Sequence, residues 1–266
     1  MKIHPSAVVE DGAVLGAEVE VGPFAYVGPK VRLGDGVRLL PHATVMGETT
    51  VGARSLIHPG AVVGDEAQIH GNDDTGMRLE IGEDNVIREG VTLHSGSQKG
   101  HGVTVIGSHN LFMAGSHVGH DCVIGNHVTL ANNTLLAGHV TIGDYVLTGG
   151  LSAVQQFGRI GKGAMLGGVS GANEDIIPYG IAHGAHCKLA GLNLIGIKRR
   201  GVPRSSIHAL RHMFEMIFLA DDAAFADRVA AAKAEFGTVP EVAEVIAFIE
   251  APARHPIAKA WRGAEG

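Results

Sequence analysis

Residues 4–29 read HPSAVVEDGAVLGAEVEVGPFAYVGP. Within them an aliphatic residue returns at every sixth position: Val9, Leu15, Val21 and Val27. The series starts at Ile3 and continues through Leu33, Leu39, Val45, Val51, Ile57, Val63 and Ile69. It misses a beat at Thr75, resumes at Ile81, Ile87 and Leu93, and then slips register once. From there it runs Ile106, Phe112, Val118, Ile124, Leu130, Leu136, Ile142, Thr148, Val154, Ile160 and Leu166. A glycine often follows the aliphatic residue, as at Gly16, Gly22, Gly28 and Gly34. Neither the helical period of about 3.6 nor strand alternation gives a strict six. A hexapeptide repeat does: a short strand, a corner, then the next strand on a new face. Three hexapeptides close one triangular coil, with the aliphatic residue inside and the residue after it turning the corner, where glycine tolerates unusual backbone angles. Coils stacked roughly 4.8 Å apart form parallel sheets, the parallel β-helix class.

Two stretches break the pattern. Residues 70–80 (HGNDDTGMRLE) keep phase but lose the aliphatic residue, and residues 95–104 (SGSQKGHGVT) shift the register. Both are expected to be loops pushed out of the prism, where binding residues are commonly placed. After Leu166 the repeat fades. SSIHALRHMFEMIFLA carries apolar residues at helical spacing (Ile207, Leu210, Phe214, Ile217, Phe218), and AFADRVAAAKAEF and PEVAEVIAFIEA follow as further helices. The expected organisation is a β-helix domain over 1–189 and a helical domain over 190–266. The helical domain would cover the open end of the prism, which otherwise exposes unpaired strand edges.

The totals narrow the function. The chain has 266 residues, 39 of them glycine, with 5% aromatics and a formal net charge of −6. With no broad basic run beyond Lys198-Arg199-Arg200, nucleic-acid binding is not expected. No apolar run reaches the roughly 18 residues of a membrane span, and MKIHPSAVVEDGAVLG has no signal-peptide core, so a cytoplasmic protein without stable membrane insertion is expected. Cys122 and Cys187 are far apart and fit no metal spacing; Cys122 reads as a small core residue.

Positions eighteen apart stack on successive coils. From His120 the next coil brings Gly138, with His139 beside it, and the coil after that brings Gln156, with Gln155 beside it. His117 lies on the same strand as His120, upstream of the corner. These residues are not at aliphatic positions, so core packing does not explain the polar column. His120 is a candidate general base, since imidazole titrates near pH 6.5. The N–H of Gly138 is a candidate donor to an oxyanion. Zinc is the rival for clustered histidines, but a third ligand in tetrahedral order is not evident, and no metal or other cofactor is expected. Asp121 reads as structural, because neighbours on a strand point to opposite faces. His4, His42, His58, His70, His101 and His109 read as surface or loop residues.

Longer strings are more specific. GSHVGHDCVIGNHVTLANNTLLAGHVTIGDY, GGLSAVQQFGRIG and GLNLIGIKRRG, with the opening coils, resemble the UDP-N-acetylglucosamine O-acyltransferase family of lipid A biosynthesis, over nearly the whole chain. The resemblance implies a left-handed β-helix and a homotrimer with active sites between neighbouring prisms. It implies transfer of an (R)-3-hydroxyacyl chain from acyl carrier protein to the 3-position of a UDP-sugar. The family's catalytic histidine falls on His120 and its oxyanion glycine on Gly138. Its substrate-binding residues fall on His117, His139, Gln156, Gln68, Asn193, Arg199 and Arg200, and its acyl-length position on Gly168. A glycine there admits a long chain, and a basic pair suits a diphosphate.

The sequence also departs from that family. Its Gln-Asp-Leu-Lys string is here Gln68-Ile69-His70-Gly71; a further histidine is Gln155, and a glutamate near the ribose is Ile195. Asp73 or Asp74 could stand in for the lost carboxylate. These changes leave open N-acylation of a 3-amino or other amino-sugar nucleotide. A short-chain acetyltransferase and a non-catalytic trimeric scaffold are the remaining alternatives.

Overall fold

A computed structural model describes residues 1–261; residues 262–266, the end of the expected helical region, lie outside the described residues. The chain winds as a left-handed parallel β-helix with three faces, sheets of 11, 9 and 8 strands in which, through the repeat, every third strand of the sequence is a neighbour. Most strands have two residues, one outward and one inward. Leu135–Leu136 is typical, with Leu135 48% exposed and Leu136 fully buried. The eighteen-residue ruler holds: Val118 pairs with Leu136, and Leu136 with Val154. The inward series fills a core that runs unbroken from Val19 into the C-terminal helices. Each fully buried Leu or Ile contributes about 1.5–3 kcal/mol, so a repeat built on one such residue per strand is stable only when stacked.

The turn chemistry differs from expectation. Except at Gly64 (φ 89°), the glycine directly after the aliphatic residue does not supply a left-handed backbone; it supplies clearance. A Cβ on Gly22 would lie 2.9 Å from the carbonyl oxygen of Leu39 on the next coil. The left-handed residue comes two positions later and is usually not glycine. Glu18, Phe24, His42, Asp121, His127, His139, Tyr145 and Phe157 all have φ between 56° and 66°. Because this position repeats up each edge, its side chains stack: His127 lies 4.9 Å from His109 and 4.7 Å from Tyr145, ring centre to ring centre.

Both pattern breaks are loops, with shifted bounds. Thr50 pairs with Glu80 and Glu80 with Val105, so the extra residues lie between those strands. The first loop lies between the strands Val62–Asp65 and Arg78–Ile81, the second between Thr92–His94 and Val103–Ile106. Ile69, which keeps the six-residue beat by count, is therefore in the first loop and outside the core. Both loops leave the prism at the edge between the second and third faces, on consecutive coils.

Past the repeat, Gly180–His183 and Lys188–Leu192 form an antiparallel pair. Helices α1 (Leu194–Arg199), α2 (Arg204–Phe214), α3 (Phe225–Phe236) and α4 (Pro240–Glu250) follow, with a π-helical turn at Glu215–Leu219. Helix α4 lies on the last coils, with Lys162 Nζ donating to Glu244 Oε1 at 2.7 Å and the Arg159 guanidinium 4.4 Å from the Phe248 ring centre. Both cysteines are free and buried; burial pushes the Cys122 thiol up to about 12.

Candidate active site

The second face carries a cleft of about 860 Å³, open toward the first loop and toward the edge shared with the third face. Its lining includes Gln68, His117, His120, Gly138 and Gln156, which the sequence singled out, Ile69, which stands where the family has its aspartate, and Thr92 and His94, which the sequence did not single out. Going up the face from His117, the outward residues are Leu135, Ala153 and Gly171, so the side chains shorten coil by coil into an apolar trough.

His117 is the outward residue of its strand, and its Nδ1 shares a 2.8 Å hydrogen bond with Thr92 Oγ1 one coil below. Burial, and then the neighbouring His94 and His120, lower its pKa, so it is neutral near pH 7. His94 stands directly after the aliphatic Leu93, at a position glycine often takes. Leu40, Met46, His58 and Arg88 fill the same position elsewhere, so the sequence carried no distinct signal for it. Its Nδ1 donates to the Glu66 carbonyl at 2.6 Å, and its ring sits 5.2 Å from that of His117.

His120 and Asp121 form the corner. The expectation that they point apart fails, because they lie in a turn and not on a strand. Asp121 has φ +58°, which swings its carboxylate back under the His120 ring. Asp121 Oδ2 accepts from His120 Nδ1 at 2.8 Å. A carboxylate only accepts, so Nδ1 carries the hydrogen and Nε2 is left as a base. Asp121 is 1% exposed. Burial raises its pKa, but hydrogen bonds from Ser97 and His120 outweigh that and hold the carboxyl below its usual range. Gly138 lies one coil on, and a Cβ there would run into the His120 ring. Among the described residues the Gly138 N–H makes no hydrogen bond.

His139 stands edge-on to His120 with ring centres 5.0 Å apart, but stacks on Phe157 and faces away from the cleft. It lines a neighbouring pocket with Lys99, His101 and Arg254. His101, read as a surface residue, is 58% exposed at its side chain yet reaches Asp121 Oδ1 at 3.7 Å. Ligand atoms of His120, Asp121 and His139 lie within 4.8 Å of one another, close enough to suggest a cation. The 2.8 Å contact between Nδ1 and Oδ2 is instead a direct hydrogen bond, and Oδ2 also accepts from Ser97. A bound ion would need both atoms to turn toward it.

The remaining candidates lie elsewhere on the chain. Asn193 caps α1, its Oδ1 accepting from Gly196 N at 3.0 Å, while its Nδ2 donates to Gly163 O at 3.0 Å. Arg200 lies against Gly163 and over the rings of Tyr145 and Tyr179, and its Nη2 is buried without a partner among the described residues. Arg199 is exposed. Gly163 and Tyr145 mark the edge between the third and first faces, a whole face away from His120. Gly168 is exposed on the far edge of the second face. Asp73 accepts from Thr75 N in the first loop at 2.9 Å, and neither it nor Asp74 lines the cleft. Gln155 is exposed, and Ile195 is 68% exposed on α1.

Residues 175–257 match the family described as UDP-N-acetylglucosamine O-acyltransferase, domain 2, and residues 103–138 match the bacterial transferase hexapeptide family. The acyl-[acyl-carrier-protein]–UDP-N-acetylglucosamine O-acyltransferase of Agrobacterium fabrum is 47% identical over 98% of this chain and 97% of its own. That of Sinorhizobium fredii is 46% identical over 100% and 98%. The chain belongs to the UDP-N-acetylglucosamine O-acyltransferase family. The fold agrees: the LpxA structure from Acinetobacter baumannii superposes with a TM-score of 0.93 at 36% identity, covering 97% of this chain and 99% of that one. Membership makes the chain an acyltransferase rather than a scaffold. Among the described residues no helix is long and apolar enough to cross a membrane.

Proposed function

We propose that this chain transfers an (R)-3-hydroxyacyl group from acyl carrier protein to the 3-hydroxyl of UDP-N-acetylglucosamine, the first step of lipid A biosynthesis. The observation that carries the chemistry is the His120–Asp121 pair, with Nε2 left as a base beside the free N–H of Gly138. His120 takes the proton of the sugar hydroxyl as its oxygen attacks the thioester carbon. The oxyanion that develops accepts from the Gly138 N–H. Collapse forms the ester, breaks the carbon–sulfur bond and returns the proton from His120 to the departing thiolate. Asp121 holds the tautomer and steadies the transient imidazolium. His117, neutral and fixed by Thr92, is a donor or acceptor for the sugar, and Gln68 and Gln156 flank it in the cleft. The trough above Leu135, bounded by Gly168, suits a long acyl chain. His139 acts from behind His120, in contact with Asp121.

The working unit in this proposal is a homotrimer. Asn193, Arg199 and Arg200 lie on a different edge from His120, so they complete a site only when that edge packs on the second face of a neighbour. The buried, unpartnered Nη2 of Arg200 is a donor suited to a diphosphate oxygen. Exposed Val123, Leu147, Leu151 and Val169 give the prism exterior the apolar character of an interface. A cytoplasmic location is part of the proposal and is supported by two unpaired, buried cysteines.

The test is incubation of the purified chain with (R)-3-hydroxyacyl-acyl carrier protein and either UDP-N-acetylglucosamine or its 3-amino analogue, read by mass spectrometry. Product from the hydroxyl substrate is expected despite Ile69, Gly71, Gln155 and Ile195. Product from the amine alone would replace the acceptor named here.

A further inference from the structure

The second loop leaves the prism at the same edge as His120, one coil below it, and folds back onto a single group. Ser97 Oγ donates to Asp121 Oδ2 at 2.6 Å, and the Ser97 N–H donates to the same oxygen at 3.1 Å. The Gly102 N–H donates to Oδ1 at 3.0 Å. Gly100 closes flat over the carboxylate, and any Cβ there would enter it. Ser97 is fully buried and Asp121 almost so. Three donors from one loop and one from His120 take most of the acceptor positions of the carboxylate. A carboxylate with this many donors stays ionised although it is buried.

We propose that the 95–102 loop is a clamp for Asp121, and that Ser97 is a positioning residue acting through Asp121 on His120. Ser97 does not touch the substrate. Its hydroxyl fixes which oxygen of Asp121 faces His120 Nδ1, and thereby fixes the tautomer and the direction of Nε2. It also draws charge from Oδ2. The other groups facing this carboxylate are His101 at 3.7 Å and His139 at 3.9 Å, and Arg254 stands behind His139. Loss of the Ser97 hydroxyl leaves more negative charge on the oxygen that faces His120. The carboxylate then holds a proton on the imidazole more firmly.

Ser97→Ala and Ser97→Thr are the test. For Ser97→Ala, kcat is expected to fall about tenfold, the size of one lost hydrogen bond to a charged group. The acid limb of kcat/KM should move to higher pH by about half a unit. Ser97→Thr keeps the hydroxyl and should restore both. A merely structural role would lower activity with the unfolding temperature and leave the pH limb in place, and that result overturns the proposal. The role assigned to turnover rests on the acyl-transfer reading, so a second measurement stands apart from it. In protein with 15N-labelled histidine, His120 should show Nδ1 protonated in the native chain and in Ser97→Thr, while in Ser97→Ala the ring should take its second proton at higher pH than in the native chain. An unchanged His120 spectrum in Ser97→Ala refutes the clamp even if the native chain acylates no sugar.

Discussion

Gly138→Ala isolates the contact on which the proposed catalysis depends. Gly138 does not have a left-handed backbone, so alanine carries no dihedral strain there. What it lacks is space. The new Cβ would lie 3.0 Å from His120 Cδ2 and nearer still to Nε2 and Cε1, where ordinary contact is 3.4–4 Å. The ring must therefore retreat by roughly 1 Å, a misplacement that costs on the order of 10²-fold in rate. Its retreat is blocked by the 2.8 Å bond to Asp121 and by the His139 ring 5.0 Å away. Overpacking of this kind costs about 1–3 kcal/mol of stability, which lowers Tm by roughly 2–10 °C in a chain of this size. Initial rates of acyl-sugar formation, with thermal unfolding of the same samples, separate the two effects. The expected result is a folded protein with kcat down about 10²-fold and KM for the sugar nucleotide little changed. A folded variant turning over at the native rate would refute the placing of the His120 ring against Gly138.

Other perturbations probe the remaining parts. Asp121 has a lowered folded-state pKa, so its stabilisation is complete above the unfolded value of about 3.9 and is lost as pH falls through the folded one. Asp121→Asn should remove that contribution at pH 7 and flatten the acid side of the stability curve, measured by denaturant unfolding from pH 2 to pH 7; an unchanged curve would deny the buried pair. His120→Ala and Arg200→Ala should each be nearly inactive alone. Refolded together in equal amounts, they should regain about a quarter of native activity, because a site shared across a three-fold interface is intact when its two chains carry different lesions. No recovery would place both residues in sites built by one chain. Gly168→Met should shift preference toward shorter acyl chains, read by competition between donors of different length, whereas unchanged preference would take Gly168 off the acyl path.

The sequence by itself determined the prism. A strict six-residue beat allows one inward residue per strand, and strands of fixed length force positions eighteen apart into columns. His120, Gly138 and Gln156 were therefore legible as neighbours without coordinates. His94 was not legible, because bulky residues such as Met46, His58 and Arg88 fill the same repeat position elsewhere.

The tertiary structure decided what each turn does with its side chains. Asp121 follows His120 directly, and only the left-handed backbone at that corner brings its carboxylate beneath the ring. Ser97 is a separate case. Its loop adds residues without adding a strand, so the repeat's ruler does not reach it, and folding alone presses it onto Asp121. Asn193 and Arg200 were legible as residue types, but their edge was not. A period locates a residue along the prism and around it, while the antiparallel turn and α1 that carry these two obey no period. Their place, a face away from His120, comes from the packing of α1 against Gly163, and it makes a second chain necessary for the proposed site.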